Sequence, residues 1–122
     1  MIELLKGFPR NVVAIACHGE VSRKDYDEVL IPAVEKALQS NDKVRMLYEV
    51  APDFEGYEAG AAWEDFKTGV AHFTKWDRIA VITDIEWIGA AVKIFGLFLP
   101  STVRVYAQDD AAKARLWITQ AV

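Results

Sequence analysis

Four short runs of β-branched and apolar residues punctuate the chain: "VVAIACH" at 12–18, "KVRMLYEV" at 43–50, "RIAVIT" at 78–83 and "VRVYA" at 103–107. All four read as strands, and the nearly continuous apolar character of the first is that of a strand covered on both faces. Parallel neighbours need a crossover of a dozen or more residues, commonly a helix, and each intervening segment is long enough for one. Strands alternating with crossover helices imply an α/β fold with a mainly parallel sheet and right-handed connections. Residues 2–5 read as a short first edge strand. The turn "KGFPRN", punctuated by Gly7 and Pro9, is tight enough to pair that strand antiparallel with the second. The expected order is β-β-α-β-α-β-α-β-α in a single domain spanning 1–122.

The helices can be placed from their caps and stripes. Ser22, with Asp25 three residues on, forms a capping box, and Tyr26, Leu30, Ala33, Ala37 and Leu38 turn one stripe inward. Pro32 kinks that helix or starts its main segment. "APDFEGYEAG" reads as a loop, followed by a helix over 58–76 whose buried stripe includes Trp63 and Phe66. A third helix, 87–99, stops at Pro100, and Asp109 caps a final one running through Trp117.

Composition closes off several classes. Apolar residues make up 52% and charged residues 26%, which is the balance of a folded chain and not a disordered one. With 14 basic and 18 acidic residues the net charge is −4, so no nucleic-acid partner is expected. The single cysteine, Cys17, fits a reducing cytoplasm. Residues 1–5 are too short, and too acidic, for a signal peptide.

Three stretches in this order resemble a known pattern: "CHGEVSRKDYDEVLIPAVEKAL" after the second strand, "RIAVITDIEW" at the third core strand, and "VRVYAQDDAAKARLWI" at the end. Together they are similar to the STAS fold, and more narrowly to the SpoIIAA-like bacterial family related to anti-sigma-factor antagonists. The resemblance implies a regulatory binding module and no catalysis. Classical antagonists are switched by phosphorylation of a Ser or Thr where the helix after the third strand begins. Here "APDFEGYEAGAAWEDFK" has neither, and Thr68 is the first such hydroxyl. Asp53, Glu55 and Glu58 already occupy the place where phosphate charge would arrive, so that switch does not carry over. The family's structural kinship with CRAL-TRIO lipid carriers implies a mobile helix over an apolar cavity.

That kinship bears on "WIGAAVKIFGLFLP", residues 87–100, in which Lys93 is the one charge. The segment is too short to cross a bilayer. On a helical wheel Trp87, Ile88, Val92, Ile94, Phe95, Phe98 and Leu99 fill an arc wider than the roughly 100° one sheet can cover. Gly89, Gly96 and Lys93 fall on the remaining side, and the glycines weaken the helix. The surplus fits a homodimer interface, a lid or a membrane-facing helix. The expected function is a non-enzymatic binding module for an apolar small molecule or membrane lipid, gated by a mobile helix around 85–99. The protein would be a cytoplasmic homodimer, with peripheral membrane contact. Trp87, Ile88, Lys93, Phe95 and Phe98 would meet the ligand or membrane, with Tyr57 and Trp63 across the pocket. The other reading is a protein-binding module resembling an anti-sigma-factor antagonist without its phosphoacceptor.

Chemistry has fewer handholds. Cys17 and His18 are adjacent, but successive strand residues point to opposite faces, so they form no nucleophile–base dyad. Cys17 reads as core. His18, at a strand's C-terminal end where open α/β sheets place ligands, and Asp84 are candidates for a polar pocket. Glu20, Asp53, Glu55, Asp84, Glu86 and Asp109 also gather at strand ends, with capping sufficient to explain Asp84 and Asp109. Neither a metal-ligand motif nor a phosphate loop is present, so no metal or cofactor is expected.

Overall fold

Alternation along three neighbouring strands sorts their side chains into two cores. The computed structural model describes residues 1–58, 75–97, 99 and 101–120. Strands β1 (Ile2–Leu4), β2 (Val12–Val21), β3 (Val44–Tyr57), β4 (Trp76–Ile82) and β5 (Thr102–Tyr106) form one sheet in that spatial order. β1 runs antiparallel to β2, and every later neighbour is parallel. The expected helix over 58–76 lies outside the described residues for most of its length. Its last residue, Trp76, instead opens β4.

Two strands run further than their apolar runs suggest. β2 continues past His18 to Val21, and β3 continues through the expected loop to Tyr57. The two stay paired to Val21↔Tyr57 across a bulge between Cys17 and Glu20. Gly19 sits in that bulge at φ +54, which a residue with a Cβ adopts only with strain. β-Pairing thus carries on where hydrophobicity stops, and Tyr57 becomes a strand residue held in register.

Ser22 caps as expected: its hydroxyl accepts the Asp25 amide while the Asp25 carboxylate accepts the Ser22 amide. The first helix comprises α1 (Arg23–Asp25), a π-helical turn over Tyr26–Leu30 and α2 (Ile31–Ser40). The Ile31 amide donates to the Tyr26 carbonyl five residues back. Pro32, at the start of α2, has no N–H and would crowd the carbonyl four residues before it. The widened turn accommodates it, so Pro32 starts the main segment.

α3 spans Glu86–Gly96 and α4 spans Ala111–Thr119, the latter after a 3₁₀ turn at Gln108–Asp110. α3 ends before Pro100, tightening so that the Leu97 amide reaches the Ile94 carbonyl. Both expected acidic caps are reassigned. Ile85 occupies the N-cap of α3, and Asp84 instead accepts the Gln108 amide at the entrance to the 3₁₀ turn, 3.0 Å away. Asp110, not Asp109, precedes α4, and its side chain makes no cap bond.

One core lies between the sheet and α4: Val12, Ala14, Leu47, Ala80 and Ile82 meet Ala114, Trp117 and Ile118. Arg45 is buried at its edge, donating to Asp77 at 2.9 Å and to the Ile118 and Gln120 carbonyls at the C-terminus of α4. These bonds satisfy carbonyls the helix cannot pair itself and set a cation at its negative end. The opposite core collects Val13, Ile15, Cys17, Val44, Met46, Tyr48, Ile79 and Val81, with Tyr26, Leu30 and Val34 from the first helix and Ile88 from α3.

Candidate functional site

The second core is not full. Beneath α3 lies a hollow of about 50 Å³. That is more than the ~10–15 Å³ one water needs and less than the ~150 Å³ of an apolar cavity that holds benzene. Its helical wall is Trp87, Ile88, Ala91, Val92 and Phe95. Its floor is Met46, Tyr48, Trp76, Ile79 and Val81, and Tyr26 and Tyr57 close one end. Four predicted residues, Tyr57, Trp87, Ile88 and Phe95, therefore share one cavity. Trp63 and Phe98 lie outside the described residues.

Three tyrosine hydroxyls of this lining meet one another. The hydroxyls of Tyr48 and Tyr57 are 2.7 Å apart, and that of Tyr26 is 3.4 Å from Tyr48. Burial pushes Tyr57 up to about 12 and Tyr26 and Tyr48 above the ordinary phenol range, so all three keep their protons at neutral pH. Burial likewise raises the Cys17 thiol, which hydrogen-bonds Tyr48, to about 11. A thiol so held is no nucleophile. The Tyr57 ring meets Phe54 edge-on at 5.1 Å between centroids and Trp87 at 6.3 Å, an arrangement aromatic pairs favour. Trp87 is 57% exposed, so it stands at the mouth of the hollow.

Two residues of this end escaped sequence reasoning in its role: Tyr48 was one apolar letter in a strand, and Tyr26 one in a helix stripe. The signal was present in "VRMLYEV", where Val44, Met46, Tyr48 and Val50 alternate onto one face. A buried Tyr needs a partner for its hydroxyl.

α3 seats on β5, and its glycines explain how closely. A Cβ on Gly96 would lie 3.0 Å from the Val103 Cβ, and one on Gly89 would lie 3.6 Å from Val105. Both glycines therefore face the sheet. This corrects the wheel, which set them on the weakly polar outer side, and it removes the argument that they exist to loosen the helix. What faces outward is largely apolar: Ile94 is 62% and Leu97 83% exposed, alongside Trp87 and Ala90, with Glu86 and Lys93 as the charged exceptions. Among the described residues no helix is long and apolar enough to cross a membrane.

His18 and Asp84 are not brought together, and neither lines the hollow. His18 sits in a shallow surface depression with Glu3, Glu20 and Asp53. Its Nδ1 lies 2.8 Å from Asp53 and its Nε2 2.9 Å from Glu3. Only an imidazolium can donate to both, and the two hydrogen bonds, Asp53 first and Glu3 second, raise its pKa above the usual histidine value. The cluster ties β1 to β3 across β2. Among the described residues no three or more His, Cys, Asp or Glu gather as a metal site.

Comparison with known proteins agrees with this architecture. No curated protein matches the chain in sequence. In structure it is similar to an uncharacterized protein with a SpoIIAA-like fold from Shewanella loihica PV-4, with a TM-score of 0.71 and 24% identity. That match covers 96% of this chain and 93% of the other, and it speaks to the fold alone. The SpoIIAA-like family model matches residues 12–119, taking in β2 through α4 and both cores, and on that match the chain belongs to the SpoIIAA-like family.

Proposed function

We propose that this protein is a non-catalytic binding module for an apolar small molecule or lipid, held between the sheet and α3, with α3 as the gate. One observation carries the reading. An apolar hollow remains between the sheet and α3, and the outer face of that helix exposes large apolar side chains as well. Protein interiors are close-packed, and such voids cost stability. A void lined by aromatic and aliphatic side chains, with polar atoms at one end, has the composition of a small-molecule site. The present volume takes only a few heavy atoms, so a longer ligand requires α3 to move outward from β5. Trp87, Ile94 and Leu97 would then meet a lipid surface, with Lys93 beside them at headgroup level.

The same exposed stripe favours the second reading, a surface that docks another protein, since contiguous apolar patches mark partner sites.

Displacement of the neutral probe N-phenyl-1-naphthylamine by medium-chain alcohols tests the first reading. Wild-type protein binds the probe and releases it to the alcohols, whereas Ala91→Phe, which fills the hollow, binds neither. Equal binding by Ala91→Phe and wild type, or no binding by either, would overturn it.

A further inference from the structure

We infer that the ligand of this hollow is an uncharged amphiphile, an alcohol or carbonyl compound whose single oxygen meets the Tyr57 hydroxyl. The inference rests on the binding role proposed above and names the chemical class. Among the described residues, none that lines the hollow carries a charge. The arginines of β3, β4 and β5 are committed elsewhere. Arg45 and Arg78 bind carbonyls at the end of α4, on the far face of the sheet, and Arg104 stacks over Trp117 at 4.6 Å. Lys93 points to the exterior from the opposite side of α3. A carboxylate or ammonium drawn into this site would lose its hydration and gain no counter-charge.

A purely apolar ligand leaves the tyrosine end unused. A phenol hydroxyl is one donor and an acceptor. The Tyr57 hydroxyl meets Tyr48 at 2.7 Å and Tyr26 as well, and an oxygen that accepts from both keeps its own proton for a ligand oxygen. Tyr57 is also the tyrosine set against Trp87 at the mouth, where an entering molecule arrives. Because all three hydroxyls stay protonated at neutral pH, they offer neutral hydrogen bonds, which suit an alcohol or ketone and give an anion no opposing charge.

Three ligands of equal chain length, 1-octanol, octanoate and octylammonium, separate the possibilities when each displaces N-phenyl-1-naphthylamine at pH 7.5. Octanol is expected to bind at least about tenfold more tightly than either ion, and Tyr57→Phe to weaken octanol about three- to tenfold. Octanoate should gain affinity as pH falls toward 5 and its carboxyl takes up a proton. Octanoate binding as tightly as octanol at pH 7.5, without gain on acidification, would overturn the uncharged class and leave the binding site standing. Unchanged octanol affinity in a folded Tyr57→Phe protein would overturn the assignment to that hydroxyl. No displacement by any of the three would overturn both this inference and the binding role beneath it.

Discussion

The two faces of the sheet are built from alternate letters of the same strands, yet their helices settle on them differently. On the α4 face the strand residues are small or compact, Ala14, Ala80, Leu47 and Ile82, and the helix approaches closely enough to bury Trp117 and Ile118 among them. On the α3 face the strands present Tyr48 and Trp76, and α3 arrives over β5 on its two glycines. Large rigid rings on β3 and β4 stand beneath one side of the helix, while glycine lets the other side down onto β5. The hollow under α3 is what such a wedge leaves. Closeness of packing is thus set by the size of residues at the contact and not by how apolar they are.

The largest expected effects come from truncation. Leu47→Ala, fully buried in the α4 core, should cost roughly 3–5 kcal/mol through lost burial and the gap left behind. Val92→Ala, against the existing hollow, should cost no more than roughly 1 kcal/mol. Urea denaturation of both variants measures the difference, and equal losses would mean the two faces are packed alike.

Enlargement should reverse in sign between the faces. Ala80→Leu overpacks the α4 side and is expected to destabilise by roughly 1–3 kcal/mol. Ala91→Phe should leave the thermal midpoint unchanged or raised, since its ring enters vacant space.

The glycines of α3 sharpen the wedge itself. Gly89→Ala meets Val105 at an ordinary contact distance and should stabilise by about 0.5–1 kcal/mol through helix propensity. Gly96→Ala should gain nothing and lose a little, because its Cβ would press on the Val103 Cβ, which is fixed to the strand backbone. A stabilised Gly96→Ala protein would show that α3 rides higher on β5 than described.

The smallest effect lies beyond the cores, at the His18 cluster. Its folded pKa is raised above the ordinary ~6.5, so the imidazolium bridge contributes fully below that value and fades as pH climbs through the folded pKa. The stability advantage of wild type over His18→Asn should therefore shrink as pH rises from about 6. It should stay below ~1 kcal/mol throughout, since Glu3 and Asp53 are well exposed. Chemical denaturation at several pH values checks it, and an advantage that grows with pH would contradict the bridge.

Much of this was legible in the letters. The four apolar runs gave the strands, the turn at Gly7 and Pro9 gave the antiparallel edge, and Ser22 with Asp25 gave the first cap. Tyr57, Trp87, Ile88 and Phe95 were paired across a pocket from their elements alone. Less legible was anything that depended on a contact between distant segments. Arg45 reads as an interruption in an apolar run and turns out to be the clasp on α4. Asp84 reads as the cap of the helix that follows it and bonds the next element instead. Gly89 and Gly96 read as looseness and are close packing.

Local sequence settles what is periodic and short-range: which segments become strands, which stripe of a helix is greasy, which residue caps the first turn. Those outcomes follow from chain geometry repeated every two or every 3.6 residues. Where α3 comes to rest, and whether space survives beneath it, was settled only in three dimensions. Side chains from β3, β4 and β5 compete for the same volume there, and the sizes on one strand acquire meaning only against those of its neighbours.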